Sequence, residues 1–119
     1  MSKSMLVISR QAPWSGPGPR EALDIVLAGG AFDLPLGVLF LDDGVWQLVG
    51  GQQPAQLQQK DLAANLAALP MFGVEDLYVC SASLATRGLQ LESLGLPVQC
   101  LAESALGALL DRYDHVITL

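Results

Sequence analysis

Five short apolar runs punctuate the chain, and between them the polar positions fall at helical spacing. Met5 to Ser9, Pro35 to Leu41, Leu77 to Val79, Pro97 to Leu101 and His115 to Leu119 read as strands. Each is too short for a buried helix, and the middle runs have few polar interruptions, as expected of strands covered on both faces. Pro19 suits a first helical position, and the helix it opens runs through Ala28 to a stop near Gly29-Gly30. Leu62, Leu66 and Leu69 form an i, i+4, i+7 stripe on a helix from Asp61 to Leu69 that ends at Pro70. A helix begins at Ser81, a plausible cap, and stops at Gly88. The last helix, Glu103 to Arg112, turns Ala105, Leu106, Leu109 and Leu110 inward.

Strand and helix alternating with short connections imply parallel βαβ units. The fold class is therefore α/β, a doubly wound five-stranded parallel sheet with helices on both faces. A 2-1-3-4-5 strand order places the topological switch between strands one and three. That order brings the Trp14 loop and Cys80 to one rim, with Asp42-Asp43-Gly44 close by. Trp46 and Leu48 alternate with polar Gln47, a pattern suited to covering a sheet edge or meeting a neighbouring chain.

Composition narrows the partners. The 119 residues suit one domain with a core that needs no disulfide or metal. Apolar residues make up 51% and charged residues 15%, well below the roughly 25% charged of typical soluble domains. This surplus points to surface buried against a partner. A net charge of −6, with only six scattered Lys and Arg, argues against a grip on nucleic-acid phosphates. Two cysteines fit a reducing compartment, and no run reaches the roughly 20 apolar residues of a membrane span. The expectation is a soluble cytoplasmic protein.

Cys80 is the first place to look for chemistry. It stands where a strand hands over to a helix, near the positive end of a helix dipole that favours a thiolate. Carboxyl ends of parallel strands are also where ligands bind. The competing reading is a packed, inert thiol, a common fate of buried free cysteines. Cys100, inside an apolar strand, reads as inert packing. Asp42 and Asp43 have the chemistry for a divalent ion or an acid–base pair, but no third carboxylate or histidine lies nearby in sequence. An Asp-Gly turn is the better account. Gly16-Pro17-Gly18 precedes a helix but lacks both phosphate-loop spacings, and its prolines remove amide donors. His115, the single histidine, has no metal set around it in sequence. No cofactor and no metal are expected.

Four stretches, in order, carry a resemblance. They are Gly18-Pro19-Arg20-Glu21-Ala22-Leu23-Asp24, Phe40 to Leu48, Val79 to Leu89, and Tyr113-Asp114-His115-Val116-Ile117. Together they resemble the DsrE/DsrF/DsrH family of sulfur-relay proteins, in its DsrF-like (TusC) branch, over nearly the whole of residues 1–119. Ala22, where a glycine is expected, and the proline-rich first loop depart from the pattern. The resemblance implies one flavodoxin-like domain within a heterohexamer, a dimer of trimers with TusB-like and TusD-like subunits. Such a complex receives persulfide sulfur and hands it to a TusE-like acceptor, toward 2-thiolation of the tRNA wobble uridine. Related complexes serve dissimilatory sulfur oxidation. The family's persulfide cysteine belongs to the TusD/DsrE-type chain, at the position Cys80 occupies here. Cys80 is thus either a persulfide carrier or a structural residue, and the chain either a structural and regulatory subunit or a sulfurtransferase itself. A flavodoxin-like nucleotide-binding module, a further reading, lacks a phosphate loop.

Overall fold

A computed structural model describes residues 4–11, 18–31, 35–48, 69–72, 74, 76–91, 94 and 98–118. The expected helix from Asp61 lies outside these residues except for Leu69, and so does Trp14. The described strands are β1 (Met5–Ser9), β2 (Leu36–Phe40), β3 (Asp76–Cys80), β4 (Gln99–Leu101) and β5 (His115–Thr118). The described α-helices are α1 (Gly18–Ala31), α2 (Ser81–Thr86) and α3 (Leu106–Asp111). Short 3₁₀ segments span Asp42–Leu48, Leu69–Phe72 and Glu103–Ala105.

All four strand pairings are parallel, as the alternating pattern requires. The order, however, is β4-β3-β2-β1-β5 rather than 2-1-3-4-5. Burial explains the difference. Every residue of β2 is buried, which an edge position does not allow, whereas β4 and β5 carry exposed residues and occupy the edges. The expected switch between strands one and three therefore does not exist, because β2 lies between them.

Side chains alternate across this sheet and build two cores. Val7, Val38, Phe40, Leu77 and Val79 pack with Ala22, Leu23 and Val26 of α1 and with Leu84 of α2. Leu6, Ile8, Leu39 and Tyr78 point the other way and meet Leu109, with Leu106 and Leu110 half-buried around it. Helices therefore cover both faces, α1 and α2 on one and α3 on the other.

Of two local expectations one is met and one fails, each for an identifiable reason. The helix α1 ends at Ala31, beside the expected stop near Gly29-Gly30. A Cβ on Gly29 would lie 2.7 Å from Leu36 Cδ1, so the glycine serves close packing of helix on strand. The segment around Trp46 is 3₁₀, not extended, and buries Gly44, Val45, Gln47 and Leu48. Val45 and Leu48 stand three apart, the period of a 3₁₀ turn.

On the α3 face, a Cβ on Gly37 would collide with the Tyr113 phenol oxygen. The absent side chain lets that ring lie against the sheet, its hydroxyl 3.5 Å from that of Tyr78. Burial first, and then the Tyr78 hydroxyl, push the Tyr113 pKa well above its ordinary value.

Candidate functional site at the carboxyl ends of the central strands

The carboxyl ends of β1, β2 and β3 are bound together by one turn, Asp42-Asp43-Gly44. The chain leaves β2 with Asp42 at φ 50°, a left-handed conformation that Asp tolerates better than most residues. Gly44 then passes so close to β1 that a Cβ would collide with the Ser9 carbonyl oxygen and lie 2.8 Å from its carbon. This approach lets buried Gln47 reach β1: its Nε2 donates to Ser9 Oγ at 2.7 Å and to the Gln11 carbonyl at 2.9 Å.

Both aspartates are committed to ion pairs. Arg10 donates to Asp42 Oδ2 from Nε at 2.9 Å and from Nη2 at 2.6 Å. Arg87 Nε donates to Asp43 Oδ1 at 3.0 Å, and its Nη1 donates to the Ser83 carbonyl at 3.2 Å. The Asp42 backbone N–H donates to Ser83 Oγ at 2.9 Å. The sequence expectation of a turn is thus met, with 3₁₀ geometry and two arginine partners. Among the described residues, no group of three or more His, Cys, Asp and Glu could hold a metal ion.

Cys80 ends β3 and precedes α2, as the sequence indicates, and it is only 3% exposed. Its backbone, at φ −83° and ψ 125°, occupies the N-cap position in place of Ser81, and no side-chain cap bond forms there. The helix that follows has six residues, less than two turns, so the dipole behind the thiol is short. It closes at its far end as the sequence suggests. Gly88 adopts φ 67°, its N–H donates to the Ala85 carbonyl, and the Leu89 N–H donates to the Leu84 carbonyl. This is a Schellman closure, and Leu84 and Leu89 supply its apolar contact in the core.

Cys100 lies on β4, half-buried and packed against the α1-side core. Its register partner is Val79, whereas Cys80 pairs with Leu101. The two thiols therefore project to opposite faces of the sheet, which a disulfide between neighbouring strands cannot span. His115 is exposed at the start of β5, and its backbone N–H donates to the Ser4 carbonyl. It stands in the outer strand, beyond β1, and takes no part in this turn.

Sequence reasoning located Cys80 and the aspartate turn but missed Ser9, Gln47, Ser83 and Arg87. Polar residues that become buried by pairing with one another leave no periodic trace. Only the short-range pairing of Val45 with Leu48 hinted at the 3₁₀ turn.

Among known proteins, the chain is 69% identical to the "Protein TusC homolog" of Pseudomonas aeruginosa over all 119 residues, the full length of both. Proteins of the same description from Pasteurella multocida and Vibrio parahaemolyticus are 35% and 39% identical, covering 93% and 78% of this chain and 95% and 79% of theirs. The crystal structure of the ychN protein from E. coli superposes with a TM-score of 0.77 at 20% identity, covering all of both chains. MTH1491 from Methanobacterium thermoautotrophicum, a protein of unknown function, also covers both chains, with a TM-score of 0.67 at 17% identity. These two likenesses bear on the fold alone. The DsrE/DsrF-like family model matches residues 3–119, and the chain belongs to that family.

Proposed function

We propose that this chain is a structural and regulatory subunit of a cytoplasmic sulfur-relay complex, assembled with TusB-like and TusD-like chains as a dimer of heterotrimers. The complex passes persulfide sulfur to a TusE-like acceptor, toward 2-thiolation of the tRNA wobble uridine. The observation that carries the reading is the full-length, 69% identity to a TusC homolog. Low charge and a high apolar fraction support an obligate subunit, and the acidic balance supports tRNA being handled by a later component.

A second reading makes Cys80 a persulfide carrier, favoured by its place at the carboxyl end of a central strand. For that role an incoming thiolate must reach the sulfur, and a 3% exposed thiol in the free chain weighs against it. The scaffold role is therefore the better account. Co-expression with TusB-like and TusD-like chains, followed by native mass measurement, tests the assembly. A species containing two copies of each chain is expected. A chain that purifies alone at its own mass in their presence overturns the reading.

A further inference from the structure

At β5 the sheet has an open edge. Among the described residues, no strand lies beyond it. Its register with β1 fixes which backbone groups are already spent. The His115 N–H donates to the Ser4 carbonyl at 3.0 Å, so His115 faces β1, and in a parallel ladder Ile117, two residues on, does the same. Val116 and Thr118 therefore turn their N–H and C=O groups outward. Both residues are exposed, Val116 by 41%. Natural proteins blunt such edges with a charge, a proline or a bulge. Val116-Ile117-Thr118 has none of these: its register is unbroken, and it is uncharged and β-branched throughout, a composition suited to further pairing.

We propose that β5 pairs antiparallel with β5 of a second copy of this chain, across a two-fold axis at Ile117. The outward groups of Val116 and Thr118 flank Ile117 symmetrically, so the reversed strand offers the same pattern. Val116 then meets Thr118 of the second copy, and each such pair exchanges two N–H···O=C bonds, four in all. Val116, beside buried Leu6 on the α3 face, gains a cross-strand neighbour there. Charge favours the same partner. The acids nearest the strand, Asp111 and Asp114, both lie on its amino side. Antiparallel pairing sets the two copies of Asp114 roughly 20 Å apart along the ladder, beyond the Debye length of about 8 Å at physiological salt. Four bonds and one strand flank are less than the roughly 1,000 Å² of a stable interface, so the contact joins chains that other partners already hold. A dimer of heterotrimers has one two-fold axis, and a chain lying on it meets its own copy through one patch. The inference rests on that assembly, proposed above, and assigns the surface that joins the two trimers.

The test is the native mass of the complex formed on co-expression with TusB-like and TusD-like chains. Thr118→Pro deletes one outward donor and no bond to β1, so the free chain should keep its urea midpoint. The mass of the complex should fall about twofold, to one copy of each chain. A mass that stays at two copies of each overturns the inference. So does loss of the TusB-like or TusD-like chain, which gives the edge to that chain instead. Ile117→Cys supplies a second reading, because residues facing each other in a non-hydrogen-bonded pair stand about 4.5 Å apart at Cα, within disulfide reach. Oxidation with diamide should link this chain to its own copy through the new thiol, in the complex and in the concentrated free chain. Peptide mapping separates that link from Cys80 and Cys100, and Thr86→Cys, at an exposed site on α2, measures random collision. No link above that control overturns the pairing. Failure of the wild-type chains to assemble overturns the relay assembly instead, and oxidation of the free chain still decides the pairing.

Discussion

Gly44→Ala probes the contact on which the whole rim depends. The added methyl would press on the Ser9 carbonyl oxygen, with Ser9 C at 2.8 Å and Arg10 Cα at 3.3 Å. All three are backbone atoms of a central strand and its exit, so no side chain can swing aside. The 3₁₀ segment has to retreat instead, stretching the Gln47 bonds to Ser9 Oγ and the Gln11 carbonyl. Overpacking of this kind costs about 1–3 kcal/mol. A lost buried hydrogen bond adds about 1 kcal/mol. The expected loss is therefore about 2–4 kcal/mol, a large share of the roughly 5–15 kcal/mol that stabilises a typical domain. At about 4 °C per kcal/mol for a chain of this size, Tm should fall by about 8–16 °C. The urea midpoint should drop by about 1–2 M. Far-ultraviolet circular dichroism reads the transition, and in a Trp14→Phe background, which removes the second tryptophan, Trp46 fluorescence reports on the 3₁₀ segment itself. A Gly44→Ala chain within about 0.5 kcal/mol of wild type, the range of an ordinary surface change, would refute the close-approach argument.

Other glycines should behave differently. Gly88→Ala puts a side chain at φ 67° in otherwise open space, and should cost about 1 kcal/mol from backbone strain alone. Gly107→Ala, within α3 and with nothing inside 4 Å, should be neutral or stabilising by up to about 1 kcal/mol; both are read from urea midpoints. The raised Tyr113 pKa fixes a sign for alkaline pH. Above about pH 10 the unfolded chain releases this proton before the folded one, so stability is intact below that pH and falls as pH rises. Urea midpoints at pH 8 and pH 11 should show a smaller alkaline loss in Tyr113→Phe than in wild type, and an equal loss would contradict the assignment.

The fold was legible where local pattern decides. Leu36 to Phe40 and Leu77 to Val79 are apolar because they lie in the middle of the sheet, and Gly88 stops α2 because only its left-handed turn completes the Schellman bonds. Strand order was not legible from motif logic, although the exposed residues at Gln99 and in His115–Thr118 mark the two edges. Gly29 marked the end of α1 within two residues, but its second use, letting the helix approach Leu36, leaves no separate mark in sequence. At the site, Cys80 and the aspartate turn stood out by residue type. Ser83, Arg87 and Gln47 did not, since their partners lie 36 to 44 residues away and emerge only when three strand ends are brought together.

The most direct test offers a persulfide donor to the chain alone and to the chain assembled with its TusB-like and TusD-like partners. Intact mass is recorded for every subunit, with Cys80→Ser in parallel. This chain should gain no sulfur in either setting, a partner chain should gain one, and Cys80→Ser should leave that gain in place. A one-sulfur gain on this chain that disappears in Cys80→Ser would contradict the scaffold role and make Cys80 the carrier.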